Sequence, residues 1–369
     1  MLIAGFVCLA FGTSGGLLRL GWNPPWLPAD MLTLHGPLMV CGFLGAVISL
    51  ERAVAIGHRW AYLAPSCAAL GGISLIVGLH WNIGIILMCA ASAILSIATA
   101  QIVYRQQAVF TLTLLLGSLS WLTGNLLLLY GFNIPQIMPW WISFLVLSIA
   151  AERLELSRFL PPSYARFLPP TFASNAVFIT LLILCVAGTV LATRSSNINV
   201  QPLSVALFAI ALWLLKQDIA RHTIKKNGLT RFVAVCLLSG YVWLLVGAII
   251  GMTFPQLILG TSYDAFLHAI LVGFVFSMIF GHAPVIFSAI VKLKIPYHPT
   301  FYLPLIVLHT SLIIRISGDI SLNQQSRYIG GMLSAIALLM FVLSTFSAII
   351  RGKRKPNQKI KPPLPLPPV

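Results

Sequence analysis

Apolar stretches of roughly twenty residues recur along the whole of this chain. A helix rises about 1.5 Å per residue, so about 20 apolar residues cross the ~30 Å hydrocarbon core of a bilayer. Of the 369 residues, 59% are hydrophobic and only 8% are charged, which excludes an ordinary soluble globule. Runs of this length predict helices, which satisfy their own backbone hydrogen bonds inside lipid.

We predict an all-α polytopic membrane protein with twelve transmembrane helices. Periodicity and length place the spans roughly at residues 2–18, 31–50, 61–79, 83–104, 108–130, 134–151, 172–192, 203–215, 232–252, 265–291, 301–314 and 329–350. Residues 1–350 are therefore expected to form one membrane domain. Residues 351–369 are basic and rich in proline, which cannot continue a helix, and are expected to form a disordered cytoplasmic tail.

The distribution of basic residues predicts the orientation of the chain. Short cytoplasmic loops of membrane proteins carry an excess of lysine and arginine. Of the 23 lysines and arginines, only Arg19, Arg194, Arg315 and Arg327 follow odd-numbered spans. Both termini are therefore expected in the cytoplasm, with the chain in the cell (inner) membrane. This topology and attraction to anionic lipid explain the net charge of +16 without nucleic-acid binding.

The sequence lacks the motifs of several common catalytic and metal-binding sites. The six cysteines are scattered singly through apolar stretches, which predicts packing residues rather than a disulfide or zinc framework. The sequence contains no phosphate-binding glycine loop and no G-x-S-x-G elbow, which disfavours an ATPase or a hydrolase. Tryptophans at the predicted outer ends of spans are expected to anchor in the headgroup layer. These are Trp22, Trp26, Trp81, Trp140 and Trp141.

Histidines inside the predicted spans are functional candidates, because an ionisable group in lipid needs a partner. His35 follows Asp30 by five residues and His268 follows Asp264 by four, at the outer ends of spans two and ten. The two imidazoles are thus expected at matching depths, where they could ligate one metal between them. Alternatively, each hydrogen-bonds or caps a neighbouring helix. Asp264 could accept the second ring N–H of His268, or cap its own helix.

Two stretches resemble known families. Histidines near the outer ends of helices two and ten of twelve resemble the pattern of subunit I of the haem-copper oxidases, whose second-helix motif is similar to HGPLMVCGF. The stretch LHAILVGFVFSMIFGHAP resembles the NnrS proteins. These are haem- and copper-containing membrane proteins associated with nitric oxide and nitrosative stress. The resemblance implies an oxidase-like bundle with His35 and His268 as axial ligands of a b-type haem. The resemblance also implies that Arg315 and Arg327, which follow span eleven, contact the haem propionates. Alternatively, these two arginines are only charged residues of a loop.

The sequence also departs from the oxidase pattern. The oxidase copper centre needs histidines on helix six and on or just after helix seven, and none stands there in this chain. The position of the ligand to the reactive haem falls on Phe266. These departures disfavour oxygen reduction by the oxidase mechanism.

A second ligand pair is predicted nearer the inner side. Fourteen residues, about 21 Å of helix, separate His268 from His282 on the same face. His309 on span eleven is expected at the depth of His282. The spacing resembles cytochrome b subunits, where one helix carries ligands for two haems, and the pair predicts a second haem or copper. Alternatively, Gly281 and Pro284 break the helix and leave His282 to satisfy a freed carbonyl.

Two Glu-Arg pairs, Glu51-Arg52 and Glu152-Arg153, stand at the predicted inner ends of spans two and six. Their spacing is consistent with a threefold arrangement of four-helix units. Equally, they could be solvated ion pairs at the membrane surface, which contribute little to stability.

Two classes of function remain. The first is a membrane protein that binds haem, or haem and copper, and handles electrons or nitric oxide. Its partner, besides lipid, would be a small gas or an electron donor. The second is a metal-free transporter whose intramembrane histidines line the substrate pathway. Acidic residues are almost confined to the ends of the spans, which disfavours proton coupling and leaves uncoupled transport open.

Overall fold

The computed structural model describes residues 1–23, 27, 28, 30–157, 171–194, 199–254, 260–291 and 296–353. In these residues every element of regular structure is helical. The predicted anchor Trp26 and the tail from residue 354 onward lie outside the described residues.

Helices coincide with all the predicted spans. They are α1 Leu2–Arg19, α2 Met31–Ile56, α3 Leu63–Ile76, α4 Trp81–Arg105, α5 Val109–Leu129, α6 Ile134–Ser157, α7 Thr171–Arg194, α8 Gln201–Gln217, α9 Leu229–Thr253, α10 in three consecutive parts (Thr261–His268, Ala269–Phe276 and Ser277–Val291), α11 Tyr302–Ile320 and α12 Gln324–Lys353. Within the described chain, ten are long and apolar enough to cross a membrane. The 14-residue α3 and the 17-residue α8 are shorter, so a multi-pass helical membrane protein is confirmed but the count of twelve spans is not.

Consecutive helices pack side by side, as short connections require. The most extensive contacts join α9 with α10, α11 with α12, α5 with α6 and α1 with α2. The first helix packs against α2, α3 and α12, so the two ends of the described bundle meet. α6 also contacts α10, which brings the second, sixth and tenth helices into the same interior.

The helices that carry His35 and His268 share an unusual backbone. In α2 the eight residues Leu38–Gly45 are π-helical, and in α10 the eight residues Ala269–Phe276 are. Each π segment begins within three residues after the histidine. Pro37 stands directly before the first one and cannot donate a backbone hydrogen bond, which favours a local change of helix type. π segments are rare and concentrate at functional sites. Two of them at corresponding positions therefore make this part of the bundle a candidate functional site.

The cysteines and one tryptophan test the expectations about packing. All six cysteines are free and five are buried, which confirms packing residues.

Trp141 is fully buried and its indole N–H donates to Asn125 Oδ1 at 3.0 Å, so the expectation of a headgroup anchor is wrong for this residue. The same amide oxygen accepts from the Cys41 thiol at 3.3 Å. A polar residue inside α5 thus offers the indole a partner that hydropathy does not reveal.

Glycines allow α1, α2 and α3 to meet at one point. A Cβ on Gly42 of α2 would lie 2.9 Å from Cys8 Sγ on α1 and 3.5 Å from Gly72 Cα on α3. Small residues permit such close crossings, which bring helices into van der Waals contact where lipid gives no hydrophobic driving force. Gly5 lies in the same contact between α1 and α2, but a Cβ there would meet its nearest atoms at 3.8 Å.

We expect Gly42→Ala to destabilise the protein and Gly5→Ala to leave its stability nearly unchanged. The extra methyl group overpacks the crossing at Gly42, which costs about 1–3 kcal/mol, and finds ordinary contact distances at Gly5. Thermal unfolding of both purified variants in detergent, followed by circular dichroism, measures the difference. Equal midpoints for the two variants would contradict the packing described here.

Candidate functional site

The imidazole of His35 is held by α1. Its Nδ1 lies 2.7 Å from the carbonyl oxygen of Gly12. The approach depends on two further glycines, because a Cβ on Gly16 would lie 2.8 Å from His35 Cε1 and a Cβ on Gly15 would collide with the carbonyl oxygen of Met31. The ring is therefore fixed by a backbone group of the neighbouring helix.

The imidazole of His268 is held by its own helix. Its Nδ1 lies 2.8 Å from the carbonyl oxygen of Asp264 and 3.2 Å from the Oδ1 atom of the same residue. The N-cap position of α10 is Gly260, so Asp264 lies inside the first part of the helix rather than capping it. Backbone and carboxylate of one residue thus orient this ring.

The structure brings His35 and His268 together. Their ring centres are 6.2 Å apart and their planes differ by 10°. Each Nδ1 lies within hydrogen-bond distance of a carbonyl oxygen, which can only accept. A neutral imidazole that donates from Nδ1 keeps its lone pair on Nε2. Two imidazoles that ligate one metal ion from opposite sides, with bonds of about 2 Å, have ring centres roughly 6 Å apart. The pair therefore matches the spacing of two axial ligands.

Aromatic and aliphatic side chains continue the contact between α2 and α10 below the histidines. Phe43 and Phe276 each stand eight residues after their histidine and stack with ring centres 5.9 Å apart and planes 13° apart. Deeper still, an apolar cavity is lined by α1, α2, α10 and α12, with Phe6, Phe43 and Phe287 among its walls. The seam between the two helices is thus apolar beneath the imidazoles.

An ion-pair cluster lies at the opposite end of this seam, where α10 begins. Arg315 donates from Nε and Nη2 to Asp264 Oδ2, at 3.2 and 2.9 Å. Arg327 pairs with Asp319 at 2.5 Å, and its Nη2 lies 4.0 Å from Asp264 Oδ2. The sequence predicted Arg315 and Arg327 in a loop, but they lie within α11 and α12. Both belong to buried or half-buried pairs beside His268, not to a solvated loop.

A second buried ion pair lies near the other end of the bundle. Arg153 on α6 donates to both carboxylate oxygens of Asp218, at 2.6 and 2.9 Å, and Tyr241 on α9 donates to the same carboxylate at 2.5 Å. Burial alone would raise the pKa of the Asp218 carboxyl, but Arg153, Tyr241 and the Ala220 amide hold that pKa below its usual value. Sequence reasoning missed Asp218 and Tyr241, because neither stands near a recognisable motif.

His282 and His309 have different partners in the structure. His282 Nδ1 lies 2.8 Å from the carbonyl oxygen of Met278, and its Nε2 lies 3.4 Å from Nη1 of Arg153. His309 accepts from the Trp243 indole at 2.9 Å. Its Nε2 lies 3.0 Å from Ser239 Oγ, so both ring nitrogens are already hydrogen-bonded.

The Glu-Arg pairs of the sequence are not solvated surface pairs. Arg52 is buried, and its guanidinium pairs across helices with Glu152 at 3.0 Å and Glu155 at 3.2 Å. Arg153 is buried as well and turns to Asp218 instead of its neighbour Glu152. The ends of α2 and α6 are thus joined by charge. Glu51 and Arg52 stay in one cluster with Glu152, whereas Arg153 belongs to the cluster of Asp218.

The comparisons with known proteins place the chain in a family. A family model described as a domain of unknown function, DUF8744, matches residues 1–350. The chain belongs to the DUF8744 family. The match covers the whole predicted membrane domain of this DUF8744 protein. A search of curated proteins finds no match. In the part of the chain that the structure describes, no group of three or more histidine, cysteine or acidic side chains is arranged to hold a metal ion.

We expect Asp218→Ala to destabilise this DUF8744 protein strongly. The substitution leaves the buried Arg153 guanidinium and the Tyr241 hydroxyl without their shared partner, and breaking a buried ion pair in this way costs about 3–5 kcal/mol. Tyr241→Phe removes one hydrogen bond and leaves the ion pair intact, so it should cost about 1 kcal/mol. Thermal unfolding in detergent compares the two. A larger loss for Tyr241→Phe would contradict a role of Asp218 as the centre of this cluster.

Proposed function

We propose that this DUF8744 protein binds a b-type haem in the membrane, with His35 and His268 as its two axial ligands, and that it handles electrons or nitric oxide. The observation that carries the proposal is the pair of near-parallel imidazoles, 6.2 Å between ring centres, each oriented by a hydrogen bond at Nδ1. Such a bond at the second nitrogen is the usual way in which a ligating imidazole is fixed.

The surroundings of the pair fit a flat molecule with one polar edge and an apolar body. Arg315 and Arg327 lie at the outer end of the seam, and Phe43 and Phe276 lie beneath the imidazoles. Haem bound there would supply one-electron redox chemistry, and nitric oxide would bind its iron only by displacing one of the two imidazoles. The residues of the chain orient the ligands, balance the charge at the polar edge and exclude water from the apolar side.

The bundle and its orientation form part of the same proposal. We propose twelve spans, including α3 and α8, in an arrangement like that of subunit I of the haem-copper oxidases, in an inner membrane with both termini cytoplasmic. In support, the pairs of Arg52 with Glu152 and Glu155 join the carboxyl ends of α2 and α6. Both helices can end on the same side only if an odd number of spans lies between them, so α3 counts as a span together with α4 and α5. The likeness to NnrS proteins supports the same reading.

We expect purified wild-type protein to show a reduced-minus-oxidised spectrum of low-spin b-type haem, confirmed by a pyridine haemochrome assay. His35→Ala and His268→Ala each remove one axial ligand, so both variants should lose the haem or convert it to a high-spin form. The matched control is His58→Ala, which removes an exposed histidine before α3 and should keep the wild-type spectrum.

Absence of haem from well-folded wild-type protein, produced in cells with ample haem, would refute the proposal. A metal-free transporter with histidines along its pathway would then be the better reading. Unchanged spectra in both alanine variants would show that haem binds elsewhere.

A second haem or copper at His282 and His309 stays a prediction. The variants His282→Ala and His309→Ala, with haem and copper measured per protein, test it. Each variant should lower the content of one metal without changing the low-spin signal of His35 and His268. Unchanged metal content in both variants would leave the hydrogen bonds to Met278, Arg153, Trp243 and Ser239 as the roles of these two histidines.

Cysteine labelling tests the proposed orientation. We expect a membrane-impermeant maleimide to label Asn133→Cys, between α5 and α6, in intact cells. Lys226→Cys, between α8 and α9, should react only after permeabilisation, because the proposed topology places it on the cytoplasmic side. Wild-type protein, whose cysteines lie within helices, is the control. The reverse labelling pattern would contradict the proposed orientation.

A further inference from the structure

The two imidazoles of the candidate site have unequal partners. His35 Nδ1 meets the neutral carbonyl of Gly12 at 2.7 Å. His268 Nδ1 meets a carbonyl of the same kind at 2.8 Å and, in addition, lies 3.2 Å from the carboxylate oxygen Oδ1 of Asp264. One ring is therefore polarised by a neutral group, whereas the other has a negative charge next to its N–H.

The carboxylate of Asp264 is held in place from its far side. Arg315 reaches Oδ2 with two nitrogens, which leaves Oδ1 directed at His268. Arg315 is itself confined, because a Cβ on Gly330 of α12 would lie 2.7 Å from Arg315 Cβ. The order imidazole, carboxylate, guanidinium thus runs from α10 to α11, and Asp264 cannot turn away from His268 without leaving a buried arginine unpaired.

A carboxylate at the second nitrogen makes a ligating imidazole more basic. The added electron density and the nearby negative charge stabilise the more positive, oxidised state of a bound iron relative to the reduced state. The guanidinium offsets part of this effect, but it stands behind the carboxylate and therefore acts over a longer distance.

We infer that Asp264 is a positioning residue that orients His268 and lowers the reduction potential of the haem. The inference rests on the proposed function, since it assigns a role within the same site. Arg315 holds the carboxylate in the orientation that this role needs. Gly12 gives His35 no equivalent charge, so the control of the potential resides on the α10 side of the pair.

Potentiometric titration of the purified haem-loaded protein tests the role of Asp264. In Asp264→Asn the reduced state should be favoured at least tenfold more than in wild type, a rise of about 59 mV for one electron. The low-spin spectrum should persist, because the carbonyl of residue 264 still accepts from Nδ1. Asp30→Asn is the matched control. It removes the same charge from the exposed N-cap of α2, and its potential should equal that of wild type.

A second variant protects the test against misfolding. Asp264→Asn leaves Arg315 unpaired, so Asp264→Asn combined with Arg315→Gln removes both charges of the pair. The potential should still rise, since the nearer charge is the negative one. An unchanged potential in a folded, haem-loaded variant, or an equal rise in Asp30→Asn, would overturn the inference while leaving the proposed function intact. Wild-type protein without haem would refute the proposed function itself.

Discussion

The hydrogen bond from a histidine ring to a backbone carbonyl determines the geometry of this site. An α-helix uses its carbonyls internally, so a ring on α2 reaches the carbonyl of Gly12 only if α1 comes unusually close. Gly15 and Gly16 supply that proximity, since any side chain there would meet Met31 or the ring of His35. Glycines in the first helix therefore position a ligand candidate in the second.

Two buried ion-pair clusters hold the helices around this seam at different depths. Asp264, Arg315 and Arg327 join α10, α11 and α12 near the imidazole pair, and Arg153 with Asp218 joins α6 to the segment after α8. A charge buried in a membrane protein is costly unless it is paired, so each cluster restricts the helices to an arrangement in which its members meet. The charged residues thus specify which helices are neighbours, and apolar contacts alone would not.

The helices and the proximity of His35 to His268 could be predicted because they depend on local properties. Run length predicts a helix, and a rise of about 1.5 Å per residue places His35 and His268 at one level. Which side chain faces which depends on the packing of distant helices. Asp218 in a connecting segment and Tyr241 in an apolar span thus gave no signal, and Trp141 was assigned to the headgroups although Asn125 draws it inward. The partner of Arg315 is equally non-local, since α11 continues to Ile320 and the guanidinium pairs with Asp264 on α10.

The polarity of the α2–α10 seam changes in one direction, and this change bears on what the seam can hold. Ion pairs stand at the level of Asp264, imidazoles follow, and the Phe43–Phe276 stack lies eight residues, roughly 12 Å of helix, further in. A water-filled substrate pathway would need polar groups along its length, whereas this seam becomes apolar directly beneath the histidines. The apolar side chains beneath the two imidazoles therefore support the proposed haem rather than a transported polar solute.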